Sequence, residues 1–160
     1  MSFQVGDALE LPYQDDEFDV SISQAILVLL PDKKKAISEA LRITKLGGYV
    51  GWIELSLKKD PTQEFLDLAV AKACAYCIQN ALTFDGWKEL FLKYGVKDLE
   101  IVVGEMGRYR MLREEGFLNT YRVMSKWLFN ERIRKRMKAI FNFFSNNSEY
   151  IGYGIYAGRK

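Results

Sequence analysis

The chain has 160 residues, of which 49% are hydrophobic and 28% charged, with a formal net charge of +2. This balance fits one globular domain (residues 1–160) able to bury roughly 70% of the surface its unfolded chain exposes. It supplies no global field toward nucleic acid or a membrane surface, and the complete lack of histidine excludes a His-based catalytic dyad or triad and leaves few ways to build a zinc or iron site.

No apolar run reaches the length of a membrane span, and Met1 is not followed by a basic segment and an apolar core. Two cysteines without a disulfide framework point to a reducing, cytoplasmic setting.

In chain order, Phe3 to Val5 reads as a strand remnant with Gly6 and Asp7 as its exit. Gln14-Asp15-Asp16-Glu17 is an exposed acidic turn. Phe18 to Ser23 is a short apolar run with β-branched residues, so it reads as a buried strand. Asp32 to Thr44 places Ala36, Ile37, Ala40, Leu41 and Ile43 at helical spacing, with Asp32 as N-cap. Lys45 to Gly48 stops that helix with two glycines, and Tyr49 to Leu55 opens another strand. Strand, helix, strand is a βαβ unit, the building block of a parallel sheet covered by helices.

Pro61 opens a helical pattern that continues through Phe65, Leu66, Leu68, Ala69, Ala73 and Tyr76 to about Asn80. Thr83 to Tyr94 is the next predicted helix, with Gly95 as C-cap. Asp98 to Val103 reads as a strand and Gly104 to Gly107 as a turn. Leu118 to Trp127 and Asn130 to Phe144 read as helices, 145–148 as a loop, and Tyr150 to Ala157 as a closing strand rich in tyrosine and isoleucine.

The run G-D-A-x-x-L-P-x-x-D-x-x-F-D from Gly6, the strand after it, P-D-K-x-K-A-I-x-E-A-x-R-I, and then K-x-G-G-Y resemble the middle of a class I S-adenosylmethionine-dependent methyltransferase of the small-molecule type. The resemblance implies an α/β chain with a partial Rossmann-like methyltransferase fold: a mostly parallel sheet, an antiparallel C-terminal strand and helices on both faces. That family opens with a strand, a glycine-rich loop and a helix upstream of the G-D-A. The G-D-A here begins at Gly6, so the resemblance implies a domain N-terminally truncated relative to the family.

The cofactor implied is S-adenosylmethionine. Asp7 is the implied acceptor for the adenine amino group, since a carboxylate only accepts hydrogen bonds, and Ala8 the implied backbone donor to a ring nitrogen. The plainer reading of Asp7 is a cap for its own turn. Ser23 and Gln24 stand at the carboxyl end of the Phe18–Ser23 strand, where open α/β sheets bind ligands, and the resemblance puts them near the methionine part of the cofactor and the substrate. Many members of the resembled family place a histidine shortly afterwards, near the positions of the apolar Val28 and Leu29 of this chain. No catalytic residue is assigned, and a proton acceptor would have to be Asp, Glu or Tyr.

Other motifs have bland explanations. Cys74-Ala75-Tyr76-Cys77 falls inside a helical pattern without further ligands, which favours two small hydrophobes over a redox or metal pair. Gly152 to Gly158 imitates a dinucleotide fingerprint, but no helix can follow Gly158. Arg132, Arg134, Lys135, Arg136 and Lys138 make the wet side of an amphipathic helix rather than a nucleic-acid surface. If strands are missing beside Phe18–Ser23, that strand is a sheet edge. A homodimer, formed at that edge or by exchange of the Met1–Tyr13 arm, is therefore expected.

Two functions remain open: a methyltransferase (or the C-terminal part of one) acting on a small molecule, and a non-catalytic methyltransferase-like module that has lost cofactor binding and self-associates.

Overall fold

The computed structural model describes residues 2–72, 75–105 and 130–160. Within them, β1 (Phe18–Gln24), α1 (Lys33–Ile43) and β2 (Thr44–Leu57) form the expected βαβ unit. There follow α2 (Gln63–Lys72), α3 (Ala75–Gln79), β3 (Leu82–Thr83), α4 (Phe84–Lys93), β4 (Lys97–Glu105), α5 (Glu131–Asn146) and β5 (Ile151–Arg159).

Asp32 is the N-cap the sequence predicts, and two further helices are capped in the same way. Asp32 Oδ1 accepts the Lys35 N–H at 3.0 Å, and Thr83 Oγ1 accepts that of Gly86 at 3.0 Å. Each satisfies a donor that the first turn of a helix leaves without an internal partner. Asn130 does the same for α5 through Ile133.

Among the described residues the strands form one sheet in the order β1-β2-β5-β4. β1 and β2 are parallel, and β5 is antiparallel to both β2 and β4. Four strands therefore run one way and β5 runs against them, the mostly parallel sheet with a reversed C-terminal strand that the sequence predicts. β3 pairs with Ser56 and Leu57, on the side of β2 that β1 has left after Ile53. Among the described residues β1 stands at the edge of the sheet.

Register assigns the faces. Ser21 and Ser23 lie beside Val50 and Trp52, and Trp52 lies beside Tyr156. α1 packs on this face, where the Ser21 hydroxyl meets Thr44 Oγ1 at 2.8 Å and Thr44 in turn donates to the Ala40 carbonyl. α4 covers its other half: Phe91 stacks on Trp52 with ring centroids 4.5 Å apart, and Trp87 donates its indole N–H to the Leu55 carbonyl at 3.1 Å. Trp52, Trp87, Phe91 and Tyr156 are all buried and form the centre of the core. The opposite face carries exposed Val20, Ile22, Tyr49 and Val102.

Gly154 in β5 and Gly104 in the adjoining β4 make room for the aromatic rings of β5. A Cβ at Gly154 would run into the Tyr156 ring, and one at Gly104 into the Tyr153 ring. These glycines give space to aromatic rings rather than to a phosphate, so the pseudo-fingerprint is a strand.

Several sequence readings need correction. Phe3 to Val5 is not a strand, and Phe3 and Val5 are 88% and 99% exposed. The pattern from Pro61 to Asn80 gives two helices, α2 and α3, rather than one. Lys45 to Gly48 belongs to β2 as a bulge: the pairing jumps from Phe18↔Thr44 to Val20↔Tyr49, with Gly47 at φ 76°. Gly104 and Glu105 extend β4 instead of turning. Cys77 is disulfide-bonded and packs partly buried against the core, so it is not a reduced small hydrophobe. Cys74 and the predicted helix Leu118 to Trp127 lie outside the described residues.

Candidate functional site

The amino-terminal arm is tied down by one arginine on α1. Arg42 Nη1 donates to the Tyr13 carbonyl at 2.7 Å and to Asp15 Oδ1 at 2.8 Å, and Nη2 donates to the Leu11 carbonyl at 3.0 Å. Its Nε and Nη2 also hold Glu39, whose Oε2 accepts the Leu11 N–H at 3.0 Å. Lys35 adds a third cationic contact at 3.0 Å. These donors hold the Glu39 carboxyl well below its usual range, at about 2, with the Arg42 hydrogen bonds the largest cause.

This clamp lays the arm beside the end of β1 and closes a cleft of about 230 Å³. Its walls include Ala8 and Tyr13 from the arm, Ser23 from β1, Ile26 and Leu27 from the following turn, and Ala36 from α1. Through Ser23, Ile26 and Leu27 its lining reaches the carboxyl end of β1, the end at which open α/β sheets take ligands.

Of the predicted site residues, Ala8 and Ser23 are thus brought to one cleft. Ala8 is half-buried, and the Ser23 hydroxyl is buried without a hydrogen-bond partner. Asp7 adjoins Ala8 but is exposed, and its Oδ1 accepts the Leu9 N–H at 2.9 Å, the turn-capping bond of the plainer reading. Gln24, the last residue of β1, is exposed. Of the two apolar residues where the resemblance leads one to expect a histidine, Val28 is buried and Leu29 is exposed. Among the described residues no group of three or more His, Cys, Asp or Glu could hold a metal ion.

The turn after β1 holds what sequence reasoning missed. Ala25 adopts φ 53°, a left-handed conformation that costs a residue with a Cβ about 1 kcal/mol. Its N–H donates to the Ile53 carbonyl at 2.7 Å. Glu54 Oε1 then accepts the N–H groups of Ile26 at 3.2 Å and Leu27 at 3.0 Å. Glu54 is only 1% exposed, and its Oε2 has no hydrogen-bond partner. Burial pushes its carboxyl up, opposed by the backbone donors and by the charge of Lys33. The visible signal is a glutamate inside the apolar strand W-I-E-L, at the same parity as Trp52 and Ser56. A charged residue facing a core is the informative exception. For Glu39 and Arg42 the signal is E-x-x-R spacing, which puts both on one side of α1.

A family model described as methyltransferase domain matches residues 1–116. An uncharacterized protein of Haemophilus influenzae is 31% identical over 162 residues, covering 98% of this chain and 63% of that protein. A chloroplastic tocopherol O-methyltransferase of Arabidopsis thaliana is 29% identical over 105 residues, covering 62% of this chain and 30% of that one. Among solved structures, the MccD protein superposes with a TM-score of 0.72 at 15% identity, over 97% of this chain and 65% of that chain. Phosphoethanolamine N-methyltransferase 2 of Haemonchus contortus, solved with S-adenosyl-L-methionine, gives 0.68 at 17% identity over 96% and 36%. The chain thus spans less than two thirds of the Haemophilus relative's length. The match of the family model over most of the sequence shows that the chain belongs to the methyltransferase-domain family, and among the described residues its sheet has β5 alone reversed.

Proposed function

We propose that the chain forms the adenine and substrate side of an S-adenosylmethionine-dependent methyltransferase acting on a small molecule. The observation that carries this reading is the convergence of Ala8 and Ser23 on one cleft at the carboxyl end of β1. The orphaned Ser23 hydroxyl in the cleft wall suits a ligand with polar groups. Asp7 would accept from the adenine amino group and the Ala8 N–H would meet a ring nitrogen, with Ser23 and Gln24 toward the methionine part. The cofactor supplies a methyl group on a sulfonium; this chain's contribution is to bind, orient and exclude water.

Calorimetric titration of the 160-residue chain with S-adenosylhomocysteine tests the reading. Binding is expected, weakened about tenfold in Asp7→Ala, the effect of losing one hydrogen bond to a charged acceptor. No heat at about 1 mM ligand, a concentration that exposes even the weakest specific sites, removes the proposal.

The second reading, a self-associating module, is favoured by β1 itself. Among the described residues it is an unpaired edge, with Ile22 75% exposed beside half-exposed Val20. Apolar edges of this kind pair with another strand. Sedimentation at micromolar protein should give a dimer that Ile22→Lys converts to monomer. A wild-type monomer rejects it.

A further inference from the structure

The short helical turn Leu27–Leu29 begins at Ile26, an apolar residue that cannot cap it, and no side chain of its own segment does so. Its leading N–H groups point into the core instead of toward water. The acceptor they find is 27 or 28 residues away in sequence: Glu54 Oε1, on the neighbouring strand β2. The turn's backbone is thereby fixed at the point where Ala25 has taken up its left-handed conformation.

Two features separate this from ordinary core packing. A buried carboxylate at a position flanked by Trp52 and Ser56 is an expensive choice if volume alone is needed. The residues it holds are also those of the cleft. Ile26 and Leu27 line the cleft, and Ser23, whose hydroxyl is orphaned in that wall, lies two residues before the turn on the same face as Glu54.

We propose that Glu54 is a positioning residue for the cleft: by accepting the Ile26 and Leu27 N–H groups it fixes the 25–29 turn and so sets the wall formed by Ser23, Ile26 and Leu27. The proposal deepens the reading of this cleft as a cofactor site and rests on it for its functional consequence. Glu54 does not touch the ligand; it acts through the turn. The property that matters is the reach of one acceptor oxygen, not the charge. Glu54→Gln keeps an oxygen at the same reach. Glu54→Asp keeps the charge but withdraws the oxygen by about one C–C bond, roughly 1.5 Å.

The test is amide hydrogen exchange on the full 160-residue chain, together with titration by S-adenosylhomocysteine. In Glu54→Asp, exchange at Ile26 and Leu27 should accelerate at least about tenfold, while the amides of Val50 and Tyr156 change by less than about threefold. Affinity for S-adenosylhomocysteine should fall about tenfold in parallel, and Glu54→Gln should restore both to within about threefold of wild type. Unchanged exchange at Ile26 and Leu27 in Glu54→Asp overturns the proposal. So does equal acceleration across the sheet, which marks a merely structural residue. Should Glu54→Asp fail to fold, Glu54→Gln decides alone: retained protection supports the proposal, and loss of protection at the turn overturns it. A wild-type chain that binds no S-adenosylhomocysteine removes the cofactor reading but leaves the exchange comparison intact, so the two failures are told apart.

Discussion

Glu39 offers the sharpest perturbation of the clamp that carries the arm. Its carboxyl, ordinarily near 4.5, is held at about 2 by Arg42, then Lys35 and the Leu11 N–H. A carboxyl depressed on folding contributes stability above its unfolded value and loses it as pH falls toward its folded value. The difference between 4.5 and about 2 sets a ceiling of about 3 kcal/mol. Arg42 is 29% exposed and Lys35 more so, and solvent screening lowers the figure to roughly 1–2 kcal/mol. Glu39→Gln should therefore lower the free energy of unfolding measured in urea at pH 7 by that amount. It should also flatten the wild-type decline between about pH 4.5 and 2. Fluorescence of the buried Trp52 and Trp87 reports unfolding. Equal stability at pH 7, or parallel pH curves for the two proteins, would refute the reasoning, because each requires that the Arg42–Glu39 contact contribute nothing.

Two further outcomes follow from the core and the arm. Trp87→Phe removes the indole donor to the Leu55 carbonyl and part of a fully buried ring, and should cost about 2–4 kcal/mol in urea unfolding. Arg42→Met frees the carbonyls of Leu11 and Tyr13, so limited proteolysis should cut within residues 8–15 sooner than in wild type, while β2 and β5 stay protected.

The βαβ unit was legible because its signals are local. Asp32 caps where capping residues are expected, and the apolar spacing of α1 matches its buried face. β5 was legible from its aromatic and β-branched content. The failures are non-local. Phe3 to Val5 has strand-like residues, yet a strand needs a neighbour, and none lies beside it among the described residues. The bulge at Lys45 to Gly48 depends on pairing with β1, since glycines that stop a helix can equally open an irregular strand. Of the site, the sequence supplied the residues that face the cleft, Ala8 and Ser23, but not those that brace it. Arg42 reads as a surface cation of an amphipathic helix until the arm is seen lying across it. Glu54 can be recognised as a brace only once the turn after β1 presents its N–H groups.

Glu39 and Glu54 do similar work on the two sides of the cleft, and their opposite electrostatics make the comparison testable. Each carboxylate accepts backbone N–H groups from a flanking segment, Leu11 for one and Ile26 and Leu27 for the other. Glu39 has a guanidinium and an ammonium in contact; Glu54 has no ion pair among the described residues, and burial dominates. A carboxyl raised on folding contributes stability that is complete below its unfolded value and is lost as pH rises through its folded value. Stability from Glu39 therefore climbs as pH rises from about 2 to 4.5, and stability from Glu54 declines above about 4.5. Glu54→Gln should leave the acid limb untouched and flatten the decline on the neutral side, whereas Glu39→Gln should do the reverse. Urea midpoints of the two variants across pH 2–8 separate the effects. A Glu54→Gln protein that retains the wild-type decline above pH 4.5 would show that its carboxylate is solvated in solution, and the buried brace would then have to be abandoned.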